Sequence, residues 1–477
     1  MAKKKDEALR RVALSILDDI PFFEDVDNPG KFYAEIPNGN HKEIYGINAQ
    51  KFRAFLRIEF RKRCNTTENY DFNDVLVKKT DEITWTQEPK QVHTRLAATA
   101  KAFVYFLADK DWKSVIISES GWRVYNSKKI KFVKNGINKE QVMPDTVGGD
   151  LQQLLKPFIN MKPQSFKLFL IYLVQCFFPK SSHFLAVISS ERGSGKSTLT
   201  KLIQEIIDPS ETTNTILPTT PDNVLNLFAN NIVVALDNTQ KLPDNISDIF
   251  CTSVTGGTYT KRKLYTDNEQ VLVKLKNVII LNGIDILPDK GDLRERSVLF
   301  ELEGIPSHKR RTEAEIWKDF NAVKPQIMGA IFDTVSKAMK IKNTLKLEKT
   351  HRMSDAYTDM AAIAMALGFS LEEFEETFEE NRRRIDELHC NTNALCDIID
   401  DYMERRRYKP VSGRVSEVYE DIYHSMPQKD SALPKSPSSF SRKMRKEQEN
   451  LRKRGYRVTF PDPDRKGSYI KIERNTK

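Results

Sequence analysis

The feature that most restricts how this chain can fold is the run FLAVISSERGSGKSTLT, residues 184–200. Its first six residues are uncharged and mostly apolar, which reads as a buried strand, and the amphipathic stretch 196–207 reads as a helix. Between them lie Arg192, Gly193, Ser194 and Gly195, followed by Lys196, Ser197 and Thr198. Two glycines one residue apart let backbone N–H groups turn inward, and the start of the following helix adds partial positive charge, so the loop is a cradle for phosphate. The pattern G-x-x-x-x-G-K-[ST] is met except at its first position, where Ser190 stands. That residue mainly eases the turn into the loop, and serine is small enough for it. In such a loop Lys196 would neutralise the β- and γ-phosphates of a nucleotide and the Ser197 hydroxyl would ligate Mg²⁺.

A strand–loop–helix unit of this kind needs parallel partners, and the chain supplies them. NIVVALDN (231–238) is apolar without alternation, as in a strand buried on both faces. VLVKLKNVIILNG (271–283) and SVLFEL (297–302) read as a third and a fourth strand, with helical segments between. Strands alternating with helices predict an α/β fold with a parallel sheet over 146–311. Residues 312–395 read as helical throughout, a lid, with SLEEFEETFEENRRRIDELH (370–389) an amphipathic helix behind a serine cap. Residues 1–145 read as a mixed α+β domain, with a helix over 49–64 and a hairpin at 114–134 turning at Ser120-Gly121. The Pro/Gly segment MPDTVGGD (143–150) reads as its boundary. Residues 396–477 form a fourth segment, interrupted by the polar loop 426–439.

Charge is what sets that last segment apart. The 477 residues carry a net charge of +10, yet 20 of the 76 Lys/Arg and only 10 of the 66 Asp/Glu lie in 402–477, leaving 56 of each before it. A basic terminal module is an electrostatic footprint for a polyanion, most often nucleic acid. No apolar run reaches the ~18 residues of a membrane span, the most apolar being FKLFLIYLVQCFF (166–178), and no secretory signal is read at the start. The five cysteines form no C-x-x-C pair, consistent with reduced thiols in a cytoplasmic protein rather than a disulfide frame or a zinc site.

Further candidates follow the loop in order. Asp237 ends the second strand and would hold Mg²⁺ through water. The residue after it, where many ATPases place an acid to polarise the attacking water, is Asn238, which orients a water but cannot take its proton. Nucleotide binding is therefore better supported than fast hydrolysis, with Asp244 and Asp248 weak substitutes for the base. Asn282, ending a strand downstream, suits a γ-phosphate sensor. Arg296, with Arg294 as second choice, stands just before the next strand, where ring-forming ATPases place an arginine finger that acts on a neighbouring subunit.

The order of these motifs, and the phrases LDNTQ, VIILNGID and DLRERSVLFEL, resemble the compact AAA+ core of superfamily 3 helicases and phage primase-helicases. Closer still, they are similar to the self-loading, minichromosome-maintenance-like replication helicases of staphylococcal chromosome cassettes and pathogenicity islands. The resemblance covers 150–395. It implies that GGTYTKRKLYTDNEQVLVKLK (256–276) is a hairpin directed into the pore of a ring, with Lys261, Arg262 and Lys263 meeting phosphates and Tyr259 and Tyr265 stacking on bases. At the other end, the residues themselves suggest a winged helix. A basic helix after the serines at 436–441 would carry Ser441, Arg442, Arg445 and Lys446, and two strands would flank a wing with Arg465 and Lys466.

The expectation is an ATP- and Mg²⁺-dependent DNA helicase or replication initiator of a phage or mobile element, a homohexamer that engages single-stranded and duplex DNA. Two alternatives stay open: a slow ATP-gated regulatory or defence switch, and a primase-helicase with its polymerising chemistry in 1–145.

Overall fold

The computed structural model describes residues 2–127, 129–190, 193–239, 242–262, 270–283, 288, 290–391, 394–426, 433–463 and 467–475. The chain is mixed α/β and divides into two compact units, 1–381 and 382–477. Among the described residues no helix is long and apolar enough to cross a membrane.

The centre of the first unit is a four-stranded parallel sheet. We label its strands and those of the adjoining hairpin in chain order: β1 (Leu185–Ser189), β2 (Val233–Leu236), β3 (Gly257–Arg262), β4 (Gln270–Leu275), β5 (Val278–Gly283) and β6 (Ser297–Glu301). The sheet order is β2-β5-β1-β6, every pair parallel. Val233, Val187, Ile280 and Phe300 are all buried, and near-continuous burial of the strands is what a parallel sheet covered on both faces requires. β3 and β4 form a separate antiparallel hairpin, with Tyr259 opposite Val273 and Arg262 opposite Gln270. The stretch 271–283 thus holds the second arm of the hairpin expected over 256–276 and then a strand of the parallel sheet. Between them sits Asn277, buried, whose amide donates to the carbonyls of Phe228 and Asn231 at 2.9 and 2.5 Å and whose oxygen accepts from Ser253.

Helix α1 (Lys196–Ile207) follows β1, α2 (Asp244–Thr255) follows β2, the single turn α3 (Gly291–Arg294) precedes β6, and α4 (Glu313–Lys342) follows it. Thr312 opens α4 with a reciprocal capping box to Glu315. The free edge of β6 is closed by a side chain that mimics a strand. Asn381 accepts from the Leu299 N–H at 3.0 Å and donates to its carbonyl at 2.7 Å. The expected serine cap is present, Ser370 and Glu373 exchanging hydrogen bonds.

The N-terminal residues build two antiparallel sheets and a hydrophobic core of their own around Phe52, Leu56, Val104 and Phe106. Trp112 is buried there, and the expected hairpin is present over 114–125, shorter than read and turning one residue earlier, at Glu119-Ser120, because Gly121 already pairs with Ser118. This part is bolted to the parallel sheet. Helix α1 ends in carbonyls with no intrahelical partner, and N-terminal side chains satisfy them: Tyr105 Oη donates to Ile207, and Gln141 donates to Glu205 and Ile206. Arg95, wholly buried, donates to the Asp208 carboxylate at 2.8 Å and to four backbone carbonyls, of Phe106, Leu107, Lys139 and Pro209. Trp122 Nε1 donates to Asp333 on α4 at 2.8 Å. Segment 143–150, read above as a boundary, is itself packed: Asp145 donates its N–H to the Pro325 carbonyl at 2.9 Å, and its own carbonyl lies where a side chain at Gly329 would have to go.

In the second unit, β7 (Val411–Arg414), β8 (Tyr456–Thr459) and β9 (Tyr469–Arg474) form an antiparallel sheet in the order β7-β9-β8. Helices α5 (Val415–Ser425) and α6 (Pro437–Lys446) pack beside it through Val418, Tyr419, Ile422, Phe440 and Met444. Ser436 caps α6, accepting from the Ser439 N–H.

Candidate nucleotide site

The parallel register decides where the site lies. Ser189 of β1 stands beside Gly283 of β5 on one side and Glu301 of β6 on the other, so the loops after these strands leave the same edge of the sheet. That edge is where open α/β sheets place ligands. Gly193 and Gly195 adopt left-handed conformations, φ +79° and +87°, that side-chain-bearing residues rarely take, and Gly195 is the last residue before α1.

Lys196 folds back across the loop. Its ammonium donates to the Ser190 carbonyl at 2.9 Å and to the Ser190 hydroxyl at 3.1 Å, and that hydroxyl also meets the Ser194 hydroxyl. The serine that replaces the usual glycine thus gives the loop lysine a second acceptor. Burial pulls the Lys196 pKa below its ordinary value, against the attraction of Asp237.

The Ser197 hydroxyl donates to Asp237 Oδ2 at 3.0 Å, bringing together the two oxygens expected to share a cation. Hydroxyl and carboxylate are hard oxygen donors of the type Mg²⁺ takes, so the residues present fit the ion. Thr198 lies on the first turn of α1, and the Asn214 amide donates to the Ser197 carbonyl at 3.1 Å.

Asn238 is exposed at φ +51° and donates its N–H to the Asp237 carboxylate at 2.9 Å. Asp248 is held by Lys290 at 2.6 Å, and Lys290 also donates to the Asp244 carbonyl. Asn282 is buried, its amide 3.4 Å from the Thr200 hydroxyl on α1, and its Oδ1 has no partner among the described residues.

Arg296 lies just before β6 with its side chain 14% exposed, and pairs with Asp292 one turn earlier. Arg352, beyond α4, pairs with the same Asp292 and with Glu295 at 2.6 Å. Burial works against the Asp292 charge, but hydrogen bonds from Arg296 and Cys251 and the charges of both arginines outweigh it and hold its carboxyl below the usual range. Arg294 reaches the Pro288 carbonyl at 3.4 Å.

The sequence reading missed the segment after β6. Ile305 Cδ1 lies 3.6 Å from where a Cβ on Gly195 would be, and Arg310 Nη2 lies 3.2 Å from the same point on Gly193. Residues 304–310 therefore run directly along the phosphate loop.

Of the expected DNA contacts, Lys261 and Arg262 lie on β3, while Lys263, Tyr265, Arg465 and Lys466 fall outside the described residues, as does Arg192 of the phosphate loop. Arg442, Arg445 and Lys446 are exposed on α6, opposite the buried Phe440 and Met444. The Arg445 guanidinium stacks on Phe460 at 3.9 Å.

The fold is that of a mixed α/β protein with a glycine-bearing strand–loop–helix unit at the end of a parallel sheet. Residues 151–380 match the family model of the actinomycete integrative conjugative element replication protein, so the segment with Lys196, Asp237, Asn282 and Arg296 is similar to replication proteins of mobile elements. No curated protein sequence matches the chain. Among solved structures, the apo structure of the NrS-1 C terminal region (305-718) covers 98% of each chain at 11% identity and a TM-score of 0.41. The A form apo structure of the same region covers 98% of this chain and 99% of that one at 12% identity and a TM-score of 0.42. Likenesses of that degree carry no functional conclusion.

Proposed function

We propose that this protein is an ATP-dependent DNA helicase or replication initiator of a mobile element, working as a ring, a homohexamer, in a bacterial cytoplasm. The observation that carries the reading is the Lys196–Ser197–Asp237 arrangement at the edge of a parallel sheet, inside a segment similar to mobile-element replication proteins. Lys196 exchanges Ser190 for the phosphates of ATP. Ser197 and Asp237 hold Mg²⁺, which neutralises phosphate charge. Arg296 leaves Asp292 and reaches the nucleotide of the neighbouring subunit. The 256–276 hairpin grips one DNA strand, and the second unit acts as a winged helix that lays α6 on duplex DNA. In these terms 146–311 is the AAA+ core, 312–395 its lid and 396–477 the DNA-binding module.

Asn238 and the Asp292-bound Arg296 favour a second reading, a slow ATP-gated DNA-binding switch. Turnover and strand displacement separate the two. The helicase reading expects ATP hydrolysis stimulated by single-stranded DNA and ATP-dependent separation of a forked duplex, both lost in Lys196→Ala. DNA-independent turnover with no separation selects the switch. Wild-type turnover in Lys196→Ala excludes this loop as the site.

A further inference from the structure

We propose that Arg310 is a second phosphate-binding cation of the nucleotide site, supplied by the same chain. The proposal rests on the reading of 190–198 as a nucleotide loop and extends it to a segment more than a hundred residues away.

Topology makes the approach unavoidable. β6 is the parallel neighbour of β1, and the Leu302 N–H donates to the Ser189 carbonyl at 3.0 Å, so the chain leaving β6 starts beside the chain entering the phosphate loop. It must then reach Glu313, where α4 begins, and it does so along the loop. Ile305 packs toward Gly195, and the Arg310 guanidinium lies against Gly193. Arg310 Nε donates to the Ile305 carbonyl at 3.3 Å, which orients the guanidinium, and among the described residues no hydrogen bond from Nη1 or Nη2 is seen.

Two facts set this arginine apart from an ordinary surface charge. Among the described residues no carboxylate pairs with Arg310, whereas its neighbour Arg311 is committed to Asp319 on α4. Gly193, moreover, is constrained twice, by its φ of +79° and by Arg310, since a Cβ there would meet Nη2 at 3.2 Å. The loop has been kept bare on the side where the guanidinium lies.

A planar fork so placed meets phosphate oxygens with two parallel N–H groups, which a lysine cannot do. It also addresses a shortage. A nucleoside triphosphate carries several negative charges, and among the described residues of the loop the cation is Lys196, beside backbone dipoles. A cation over Gly193 adds to the one that Lys196 holds at Ser190, and a second positive charge favours the triphosphate over the diphosphate.

The test is equilibrium binding of a fluorescent ATP analogue and its ADP counterpart, with Mg²⁺, to the full chain. Arg310→Ala should weaken the triphosphate by about 10- to 100-fold, the worth of one or two charge-assisted hydrogen bonds. The diphosphate should weaken less, and the apo unfolding temperature should stay put, because Arg310 is exposed. Arg310→Lys should recover only part of the loss. Equal affinities in wild type and Arg310→Ala, with Lys196→Ala defective, overturn the role of Arg310 and leave the nucleotide site standing. Equal loss of both nucleotides, or full recovery in Arg310→Lys, also overturns it, the first by removing triphosphate discrimination and the second by removing the fork. No binding by wild type overturns both.

Discussion

Arg95→Ala should be among the most damaging single substitutions in the chain, although it lies far from any motif. The residue is wholly buried, and its guanidinium satisfies Asp208, itself buried, together with four backbone carbonyls. Removing one partner of a buried ion pair costs about 3–5 kcal/mol, because the other charge is left uncompensated. Water entering the polar space returns part of what the carbonyls lose, so the lower part of that range is the safer expectation. With an m-value near 3 kcal/mol/M in urea, the upper end for smaller proteins, the unfolding midpoint should fall by about 1 M. Trp112, buried in the N-terminal core, reports the transition by fluorescence. Arg95→Lys should fall in between, since a single ammonium cannot serve the carboxylate and four carbonyls at once. The double variant Arg95→Met/Asp208→Leu should recover much of the loss, because no charge is then stranded. A midpoint drop below ~0.3 M in Arg95→Ala at unchanged m would refute the reasoning, and so would a double variant worse than the single.

Arg296→Ala should leave nucleotide affinity nearly intact and cut turnover by about 10³-fold or more, the usual worth of an arginine finger. Mixing it with Lys196→Ala should restore some activity, and absence of recovery in demonstrably mixed assemblies removes the shared site. Replacing Arg442, Arg445 and Lys446 with alanine should flatten the log–log salt dependence of duplex binding by about 0.9 for each phosphate no longer neutralised, while basal ATPase persists; an unchanged slope makes that face a solvated surface. Alanine at Lys261, Arg262 and Lys263 should instead abolish strand separation and spare duplex binding, and normal unwinding by that variant disproves the hairpin grip. Glu43 gives a pH test. Burial opposes its charge, yet hydrogen bonds from Tyr45, Asn38 and Lys51 hold its pKa down at about 2, below the ordinary 4.5. A carboxyl lowered on folding stabilises fully above 4.5 and loses that contribution as pH falls toward 2. Glu43→Gln should therefore flatten the acid limb of stability between those values, and an unchanged limb denies Glu43 that role.

What could be read from the sequence was what one segment decides alone. The strands at β1, β2 and β6 are legible because burial on both faces leaves a continuous apolar run, and the turn between β1 and α1 because two glycines at fixed spacing supply the left-handed conformations it needs. What could not be read depends on distant partners. What holds Asn277 between β4 and β5 is invisible without Phe228, Asn231 and Ser253, which satisfy its amide. The packing of 143–150 against α4 needs the small residue at Gly329. Arg310 looks like any loop cation until the β1–β6 register sets it on Gly193. Arg296 falls between the two cases. Its place before β6 suggests a finger, and the Asp292–Arg296 spacing of four, visible in DLRER, already implies a local ion pair. The structure adds the element that reconciles the two readings. Asp292 is claimed by both Arg296 and Arg352, so when Arg296 departs its carboxylate keeps a cation and no charge is stranded. On the proposed reading, Arg352 would thereby lower the cost of freeing Arg296.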